Sequence, residues 1–392
     1  MPMLRFLTAG ESHGKGLIAI IEGMPAGVPI LKEEIDRELK RRQQGYGRGG
    51  RMKIESDEVE ILSGVRWGKT LGSPISFFIK NRDWENWKEA MSPDKAFESC
   101  PTVTRPRPGH ADLAGFLKYQ HTDIRNVLER SSARETAARV TVGAVAKQFL
   151  KIFDIKIGSF VTRIGSAEKK IEAANLNEKE LLELAQMAES SSVRCPWKET
   201  EAEFIEVIKQ AIKNGDSVGG CFVVFATGVP VGLGSYVHWD RKLDSKIASG
   251  IMSIQAIKAV EIGDGVTLGG KFGSEVMDEI FYDKFFYRKT NHMGGIEGGV
   301  SNGMPIVVKA TMKPIPTLRK PLKSVDVFTK EATAASYERS DVCAVPAASV
   351  IGEAVLAWHI AEAFLEKFGG DSLKEVESNF YSYQKQIMED KL

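Results

Sequence analysis

The chain has 392 residues, which is enough for one large domain or two of moderate size. Its content of 43% hydrophobic and 27% charged residues is typical of a soluble globular protein. A net charge of +1 excludes an overall positive field of the kind that attracts nucleic acid or an anionic membrane. We find no signal peptide pattern and no apolar run long enough to span a bilayer, so a cytoplasmic protein with no membrane partner is expected.

The four cysteines, at positions 100, 195, 221 and 343, form no CxxC pair and have no metal-ligand spacing. We therefore expect reduced thiols and no structural metal.

Hydrophobic periodicity predicts short strands and two helices in the first 153 residues. The predicted elements are strands at 4–8, 16–22, 59–62 and 74–79, a helix at 32–43, glycine-rich loops at 10–14 and 45–51, a loop region at 83–104, and a long helix within 124–153. In the helix at 32–43, Ile35 and Leu39 lie one turn apart on the same face.

Residues 168–216 differ in composition from the rest of the chain, since they are rich in Glu and Lys. Two charged amphipathic helices are expected to form a hairpin there, on the main body. The other predicted elements are strands at 155–166 and 220–227, helices at 178–191, 199–214, 244–262 and 345–368, and a glycine-rich loop at 294–303. Two long helices rich in small residues, each flanked by strands, indicate an internally duplicated α+β body.

Two short motifs have the wrong context for the functions they suggest. Residues 10–14 (GESHG) match the nucleophile elbow of serine hydrolases, but a strand rather than a helix is predicted directly after them. Residues 64–70 (GVRWGKT) have one residue too few between the glycines for a phosphate-binding loop, so a tight turn is expected. A serine hydrolase with Ser12 as nucleophile is kept as an alternative that a fluorophosphonate label would test.

Residues 130–139 (RSSARETAAR) open an apolar helical run. Arg130 and Arg134 are expected to share a helix face, and Ser131 and Ser132 can cap the helix start. A helix start with serine hydroxyls and two guanidinium groups suits a phosphate-bearing anion.

Other arginines cluster in predicted loops, together with two histidines. The clusters are Arg41, Arg42, Arg48 and Arg51 around a glycine loop, residues 105–112 (RPRPGHAD), and residues 339–341 (RSD). So many guanidinium groups on loops indicate a small polyanionic ligand with phosphate and carboxylate groups. His13 and His110 are candidate acids because imidazole titrates near neutral pH. Asp341 could be a base, an anchor for a ring nitrogen, or the N-cap of the next helix.

These residues belong to a series of longer motifs through which nearly the whole chain resembles the chorismate synthase family. The motifs are 10–14 (GESHG), 45–52 (GYGRGGRM), 105–113 (RPRPGHADL), 129–137 (ERSSARETA), 252–256 (MSIQA), 294–303 (GGIEGGVSNG), 313–317 (KPIPT) and 339–341 (RSD). Their number and order make the resemblance specific.

The resemblance implies a lyase that converts 5-enolpyruvylshikimate 3-phosphate to chorismate and phosphate by 1,4-elimination. This reaction is the last step of the shikimate pathway, which leads to the aromatic amino acids. The family requires reduced FMN, although the reaction has no net redox change. A substrate with one phosphate and two carboxylates agrees with the number of arginines.

The resemblance also assigns roles to single residues. His13 is expected to be the acid that meets the departing phosphate, His110 the group at the N1–O2 edge of the flavin, and Asp341 the residue near flavin N5 that supports proton removal. The expected substrate-binding residues are Arg42, Arg48, Arg51, Arg107, Arg134 and Arg339. The expected flavin-binding residues are Arg130, Ser131, Ser132, Gln255, Ala256, Gly298, Lys313, Pro314, Ile315, Pro316, Thr317 and Arg339.

The family fold is an α+β sandwich with long helices between antiparallel sheets, and the usual assembly is a homotetramer. We therefore expect one domain over residues 1–392, with 168–216 as a peripheral helical hairpin. NADPH-dependent members that reduce their own flavin carry insertions that are not evident here, so an external flavin reductase is expected to be a partner. The remaining alternative is a module that binds a phosphate ligand without catalysis, which would need the arginines but not His13, His110 and Asp341.

Overall fold

The computed structural model describes residues 4–49, 56–94, 100–338 and 340–388. The helices within these ranges are α1 (Lys32–Gln43), α2 (Asp112–Tyr119), α3 (Arg125–Ser131), α4 (Thr136–Lys151), α5 (Glu178–Glu189), α6 (Lys198–Asn214), α7 (Leu243–Met252), α8 (Gly273–Val276), α9 (Val345–Phe368) and α10 (Leu373–Met388).

The strands are mostly short, and the longer ones carry the alternating or fully apolar patterns expected of them. They are β1 (Arg5–Ala9), β2 (Gly16–Glu22), β3 (Val59–Ser63), β4 (Val65–Arg66), β5 (Lys69–Thr70), β6 (Ile75–Lys80), β7 (Lys156–Ile164), β8 (Ala167–Glu168), β9 (Gly220–Thr227), β10 (Ile257–Ile262), β11 (Ile280–Asp283), β12 (Phe285–Arg288), β13 (Ile296–Glu297), β14 (Val300–Ser301), β15 (Ile306–Met312), β16 (Lys323–Val325) and β17 (Ala332–Ala334).

The longer strands form two antiparallel sheets in the described part of the chain. The first has the order β1-β2-β6-β3, and the second has the order β10-β15-β9-β7-β8. All eight residues of β9 are buried, which fits a central strand that is covered on both faces.

Helices α4 and α9 pack against each other and mainly against different sheets. Helix α4 contacts β1, β2 and β6 of the first sheet and also β7, whereas α9 contacts β7 and β9 of the second sheet. Their backbones approach closely at Gly143, where an added Cβ would lie 2.3 Å from the Cβ of Ala354. A hydrogen atom at position 143 is therefore what allows the two helices to pack at this distance.

One described helix, α9, is long and apolar enough to cross a membrane by length and composition alone. However, 89% of its most apolar window is buried inside the protein, as expected for a core helix.

The middle of α9 carries a buried carboxylate, Glu353, which joins four other parts of the fold. It accepts hydrogen bonds from Arg41 of α1 at 2.8 and 2.9 Å and from Lys147 of α4 at 2.6 Å. Arg194, between α5 and α6, donates at 3.0 Å, and Ser159 of β7 donates at 2.6 Å. Burial favours the neutral acid, but Arg41, Lys147 and Arg194 hold the pKa of Glu353 well below its ordinary value, so the carboxylate is charged.

Most elements predicted from periodicity are confirmed to within one or two residues. The helix at 32–43, the strands at 4–8, 16–22, 59–62, 74–79, 155–166 and 220–227, the helices at 178–191 and 199–214, and the helix at 345–368 are all present. The segment 64–70 is the tight hairpin β4–β5, with Trp67 and Gly68 at positive φ in its turn. A strand, β2, does follow the GESHG motif.

The predicted helix at 244–262 is wrong in its second half. Helix α7 ends at Met252, and Ile257–Ile262 is strand β10, paired with β15. Ala256 has φ +68°, so the chain reverses there. The β-branched residues of 257–262 satisfied the helical spacing of apolar side chains but also suit a strand. The glycine-rich loop at 294–303 likewise contains a small hairpin, β13–β14.

The prediction for residues 130–139 is also wrong in its geometry. Arg130 and Ser131 lie at the end of α3, and Ser132 has extended backbone and accepts from the N–H of Arg134 at the start of a 3₁₀ turn before α4. Because the chain changes direction at Ser132, Arg130 and Arg134 do not share a helix face. Arg130 is exposed, whereas Arg134 is buried.

The substitution Glu353→Gln is expected to lower the free energy of unfolding by about 3–5 kcal/mol, because the buried Arg194 and the partly buried Arg41 and Lys147 lose a shared counter-charge. Since the pKa of Glu353 is lowered in the folded state, its stabilising effect is present above the ordinary value of 4.5 and is lost as the pH falls toward the folded-state pKa. Urea denaturation at neutral and acidic pH measures both effects. Glu203→Gln, on the exposed face of α6, is the control, and equal stability of the two variants at neutral pH would contradict the prediction.

Candidate active site

A cavity of about 760 Å³ is lined by loops and helix ends, including the start of α9. Its wall includes the loop between β1 and β2, the segment after α1, parts of α3, the segment after β15 and the first turns of α9. Segments that are far apart in sequence therefore supply the polar side chains of one site.

His13 is held in the cavity wall by Glu129 and Trp87. Its Nδ1 lies 2.9 Å from Oε1 of Glu129, and its backbone N–H donates to Oε2 at 2.7 Å. The imidazole packs on the Trp87 ring, with centroids 4.1 Å apart. Burial acts to raise the pKa of Glu129, but the hydrogen bonds and charge of His13, with a smaller effect of Arg125, bring it below its usual range.

His110 forms a second pair of this kind, with Asp112. Nδ1 of His110 contacts Oδ1 of Asp112, and Arg107 donates to Oδ2 from its backbone N–H and Nε at 2.9 and 2.8 Å. Arg107 also donates to Thr317 at 2.8 Å. Although burial acts to raise the pKa of Asp112, the bonds from His110 and Arg107 lower it well below the ordinary value.

Asp57 joins two of the predicted substrate-binding arginines. Its buried carboxylate accepts from Arg42 and from Arg134, each at 2.6 Å, and Arg134 also donates to Asn81 at 2.9 Å. The pKa of Arg42 is lowered, mainly by burial. The charge of Asp57 acts to raise it, whereas the charges of Arg134 and Arg48 lower it further. Three guanidinium groups thus converge on the cavity, and an anion bound there would relieve their repulsion.

Asp341 also lines the cavity and is held by the glycine-rich loop. Nη1 of Arg48 lies 3.0 Å from Oδ2 of Asp341, and the N–H of Gly49 donates to Oδ1 at 2.6 Å. The loop therefore places a carboxylate beside the arginine cluster.

The rest of the wall combines apolar side chains with a few polar groups that suit a flat, heteroaromatic ligand. Ala347, Ala348 and Ile351 from the start of α9 supply apolar surface. Oε1 of Gln255 is buried and accepts no hydrogen bond from the described residues. Lys313 donates to the carbonyl of Gly109 at 3.0 Å, and burial lowers its pKa, with a further contribution from the charge of Lys258. The unsatisfied acceptor and the apolar wall fit a ring that carries N–H groups, such as a reduced flavin.

Most of the residues singled out from the sequence do line this cavity. They are His13, His110, Asp341, Arg42, Arg48, Arg107, Arg134, Ser131, Ser132, Gln255, Ala256, Lys313, Ile315, Pro316 and Thr317. Arg51 and Arg339 lie outside the described residues.

Three of the predicted flavin-binding residues are not in the cavity wall of a single chain. Arg130 is exposed and donates to the carbonyls of Thr8 and Gly10, which ties α3 to the first sheet. Gly298 is in the turn of the β13–β14 hairpin, with open space where a Cβ would point, and Pro314 is also absent from the wall.

Four residues that hold the site side chains in place were not predicted from the sequence: Glu129, Asp112, Asp57 and Trp87. Glu129 and Asp112 were within quoted motifs, so their positions next to an arginine and a histidine were a usable signal. Asp57 and Trp87 had no such signal, because their partners are distant in sequence.

The fold and the cavity define an enzyme site for a small polyanion, with two histidine–carboxylate pairs beside converging arginines. The family model described as chorismate synthase matches residues 4–365. The chain is 58% identical over 388 residues to the chorismate synthase of Aquifex aeolicus (strain VF5), covering 97% of each chain. It is 59% identical over 383 residues to that of Alkaliphilus metalliredigens (strain QYMF), covering 97% of this chain and 99% of that protein.

A crystal structure of chorismate synthase is similar with a TM-score of 0.82 and 48% identity, covering 99% of both chains. The chain belongs to the chorismate synthase family. It is accordingly a lyase of the last step of the shikimate pathway.

The substitution Asp57→Asn is expected to lower the free energy of unfolding by about 3 kcal/mol, because Arg42 and Arg134 lose the negative charge to which both are bonded. Inorganic phosphate is expected to recover part of this loss by binding between the two guanidinium groups. Thermal melting with and without phosphate measures both effects, and Asp94→Asn is an exposed control. A variant that melts at the wild-type temperature in the absence of phosphate would contradict the assignment.

Proposed function

We propose that this cavity binds 5-enolpyruvylshikimate 3-phosphate together with reduced FMN and forms chorismate and phosphate by 1,4-elimination. The observation that carries this proposal is the convergence of His13, His110 and Asp341 with the arginines that line the same cavity. Their combination provides anion binding and proton transfer at one place.

The arginines bind the anionic groups of the substrate in this proposal. Arg42 and Arg134, which Asp57 holds side by side, suit the phosphate, because two guanidinium groups can donate to one group of oxygens. Arg48 and Arg107 bind the carboxylates, together with Arg51 and Arg339 as the resemblance implies.

The histidines and Asp341 handle protons. His13 donates a proton to the departing phosphate oxygen, and that phosphate lies within the positive field of the arginines. His110 is oriented by Asp112 and Arg107 and holds a proton toward the cofactor. Asp341, which Arg48 and Gly49 fix in place, supports removal of the proton from the substrate.

The cofactor proposal is supported by the buried, unsatisfied Oε1 of Gln255 and the apolar wall at the start of α9. When bound, reduced FMN supplies transient electron density to the substrate. The residues that would hold it are Ser131, Ser132, Gln255, Ala256, Lys313 and 315–317, with Arg130, Gly298, Pro314 and Arg339 included by resemblance. Gly298 and Arg130 do not line the cavity within one chain. For these two residues to contact the flavin, the cavity would have to change on ligand binding or a neighbouring chain would have to supply them.

The assembly we propose is a homotetramer. Its support in this chain is the β11–β12 hairpin, which exposes Tyr282, Phe285 and Phe286. Exposed aromatic clusters of this kind mark surfaces that associate with other chains. We further propose a cytoplasmic enzyme that receives reduced flavin from an external reductase rather than reducing it with NADPH.

The architecture we propose is a single domain over 1–392, a β-α-β sandwich with an internal duplication and a peripheral helical hairpin at 168–216. Its support is that α4 packs on one antiparallel sheet and α9 on the other, with the two helices in contact. Helices α5 and α6 pack on β7 and β8, at one edge of the second sheet.

The reaction is tested by anaerobic phosphate release from 5-enolpyruvylshikimate 3-phosphate, with and without dithionite-reduced FMN. We expect release only with reduced flavin, accompanied by the absorbance of chorismate. Folded protein that binds FMN but releases no phosphate under either condition would leave a binding module as the function.

His13→Ala and His110→Ala are each expected to lower turnover by about 10²–10⁴-fold, because each removes a group that holds a proton at the reacting site. Affinities for FMN and substrate are expected to change much less, since the arginines remain in place. Steady-state kinetics and flavin titration separate the two effects. His238→Ala, an exposed histidine outside the cavity, is the control. Unchanged turnover in either cavity variant would remove that histidine from the mechanism.

A further inference from the structure

Glu129 holds both the backbone and the ring of the residue proposed as the acid. Its side chain is 3% exposed, and it accepts from the backbone N–H of His13 while its oxygens lie 2.9 and 3.1 Å from Nδ1. Its carbonyl also accepts from the N–H of Ser12 at 2.9 Å. Residues 12 and 13 are therefore attached to Glu129 at three points.

The plane of the imidazole is fixed independently by Trp87. The two rings are tilted by 31°, and Nε1 of Trp87 donates to Asp83 at 3.2 Å. The guanidinium of Arg125 lies 4.9 Å from the centroid of the same tryptophan and 3.3 Å from Oε1 of Glu129. Trp87 and Glu129 thus restrict the ring in two directions.

Among the described residues bonded to His13 or to its neighbours Glu129 and Trp87, the charged groups include Arg125 and the carboxylates described next. Glu129 and Arg125 face it from α3, Asp83 lies behind Trp87, and Glu338 accepts from Arg125 at 3.5 Å. Arg125 is shared between Glu129 and Glu338, so its charge is partly compensated. Of these groups, the buried carboxylate of Glu129 is the one bonded to the imidazole, at Nδ1.

We propose that Glu129 is a positioning residue for His13, a role that rests on the proposed function. Glu129 keeps a proton on Nδ1, so the proton that His13 transfers comes from Nε2. In this step the Nε2–H bond breaks, an O–H bond forms on the departing phosphate, and His13 becomes neutral with Nδ1–H still bonded to Glu129. Glu129 stays ionised throughout, as the aspartate of a serine protease triad does.

The test compares Glu129→Gln, which keeps the size but removes the charge, with Glu129→Asp, which keeps the charge. For Glu129→Gln we expect turnover to fall by about 10²-fold, with the KM for substrate and the FMN affinity within about twofold. Glu129→Asp is expected to restore part of the turnover. Glu203→Gln is the control, at an exposed position outside the cavity.

A second measurement does not depend on activity. Nitrogen NMR of the imidazole in the wild-type protein at high pH is expected to show the neutral ring protonated at Nδ1, and Glu129→Gln is expected to shift this tautomer balance toward Nε2. Unchanged turnover in Glu129→Gln would overturn the proposal, and so would an Nε2-protonated neutral ring in the wild type. The NMR result holds whether or not the wild type acts on 5-enolpyruvylshikimate 3-phosphate. Failure of the proposed function is therefore distinguishable from failure of this assignment.

Discussion

The buried carboxylate of Glu353 is the interaction on which the relative placement of the core helices depends. It neutralises cations from α1, α4 and the segment between α5 and α6, and it also bonds to β7. Leaving these largely buried cations without this carboxylate would be costly, so the elements are held together at one point. Arg41, one of the bonded residues, is adjacent to Arg42, so the position of this cavity arginine is coupled to the core contact.

In the cavity, carboxylates also hold cationic side chains in place, but the positive charge is not fully neutralised. Asp57, Asp112, Glu129 and Asp341 each hold a cation or a histidine, but the arginines outnumber the carboxylates that they contact directly in the Arg42–Asp57–Arg134 group. The side chains are thus oriented before any ligand binds, while a positive charge remains to attract an anion. Because the donors are fixed by the folded protein, little reorganisation is needed when negative charge develops on the substrate.

Much of the secondary structure was predictable because it is encoded locally, as in the helix at 32–43 with Ile35 and Leu39 on one face. The error at 257–262 arose because the sheet partner β15 decides between helix and strand there, and a local pattern contains no information on pairing. The cavity histidines and arginines were predictable from their unusual clustering in loops. Their carboxylate partners were less so, since Asp57 and Arg134 are 77 positions apart and meet only in the folded chain. The prediction that Arg130 and Arg134 share a helix face was wrong because Ser132 between them has extended backbone. Its hydroxyl caps the next helical turn by accepting from the N–H of Arg134.

The close contact of α4 and α9 also sets an order of events during synthesis. Lys147 and Glu353 are 206 positions apart, and a ribosome adding about 5–20 residues per second needs on the order of 10–40 s to cover that distance. Until then α4 lacks the helix that covers Gly143, and Arg41, Lys147 and Arg194 lack their shared counter-charge. The nascent chain therefore exposes a largely apolar helix surface for about half of its synthesis, and surfaces of this kind favour aggregation until they are covered.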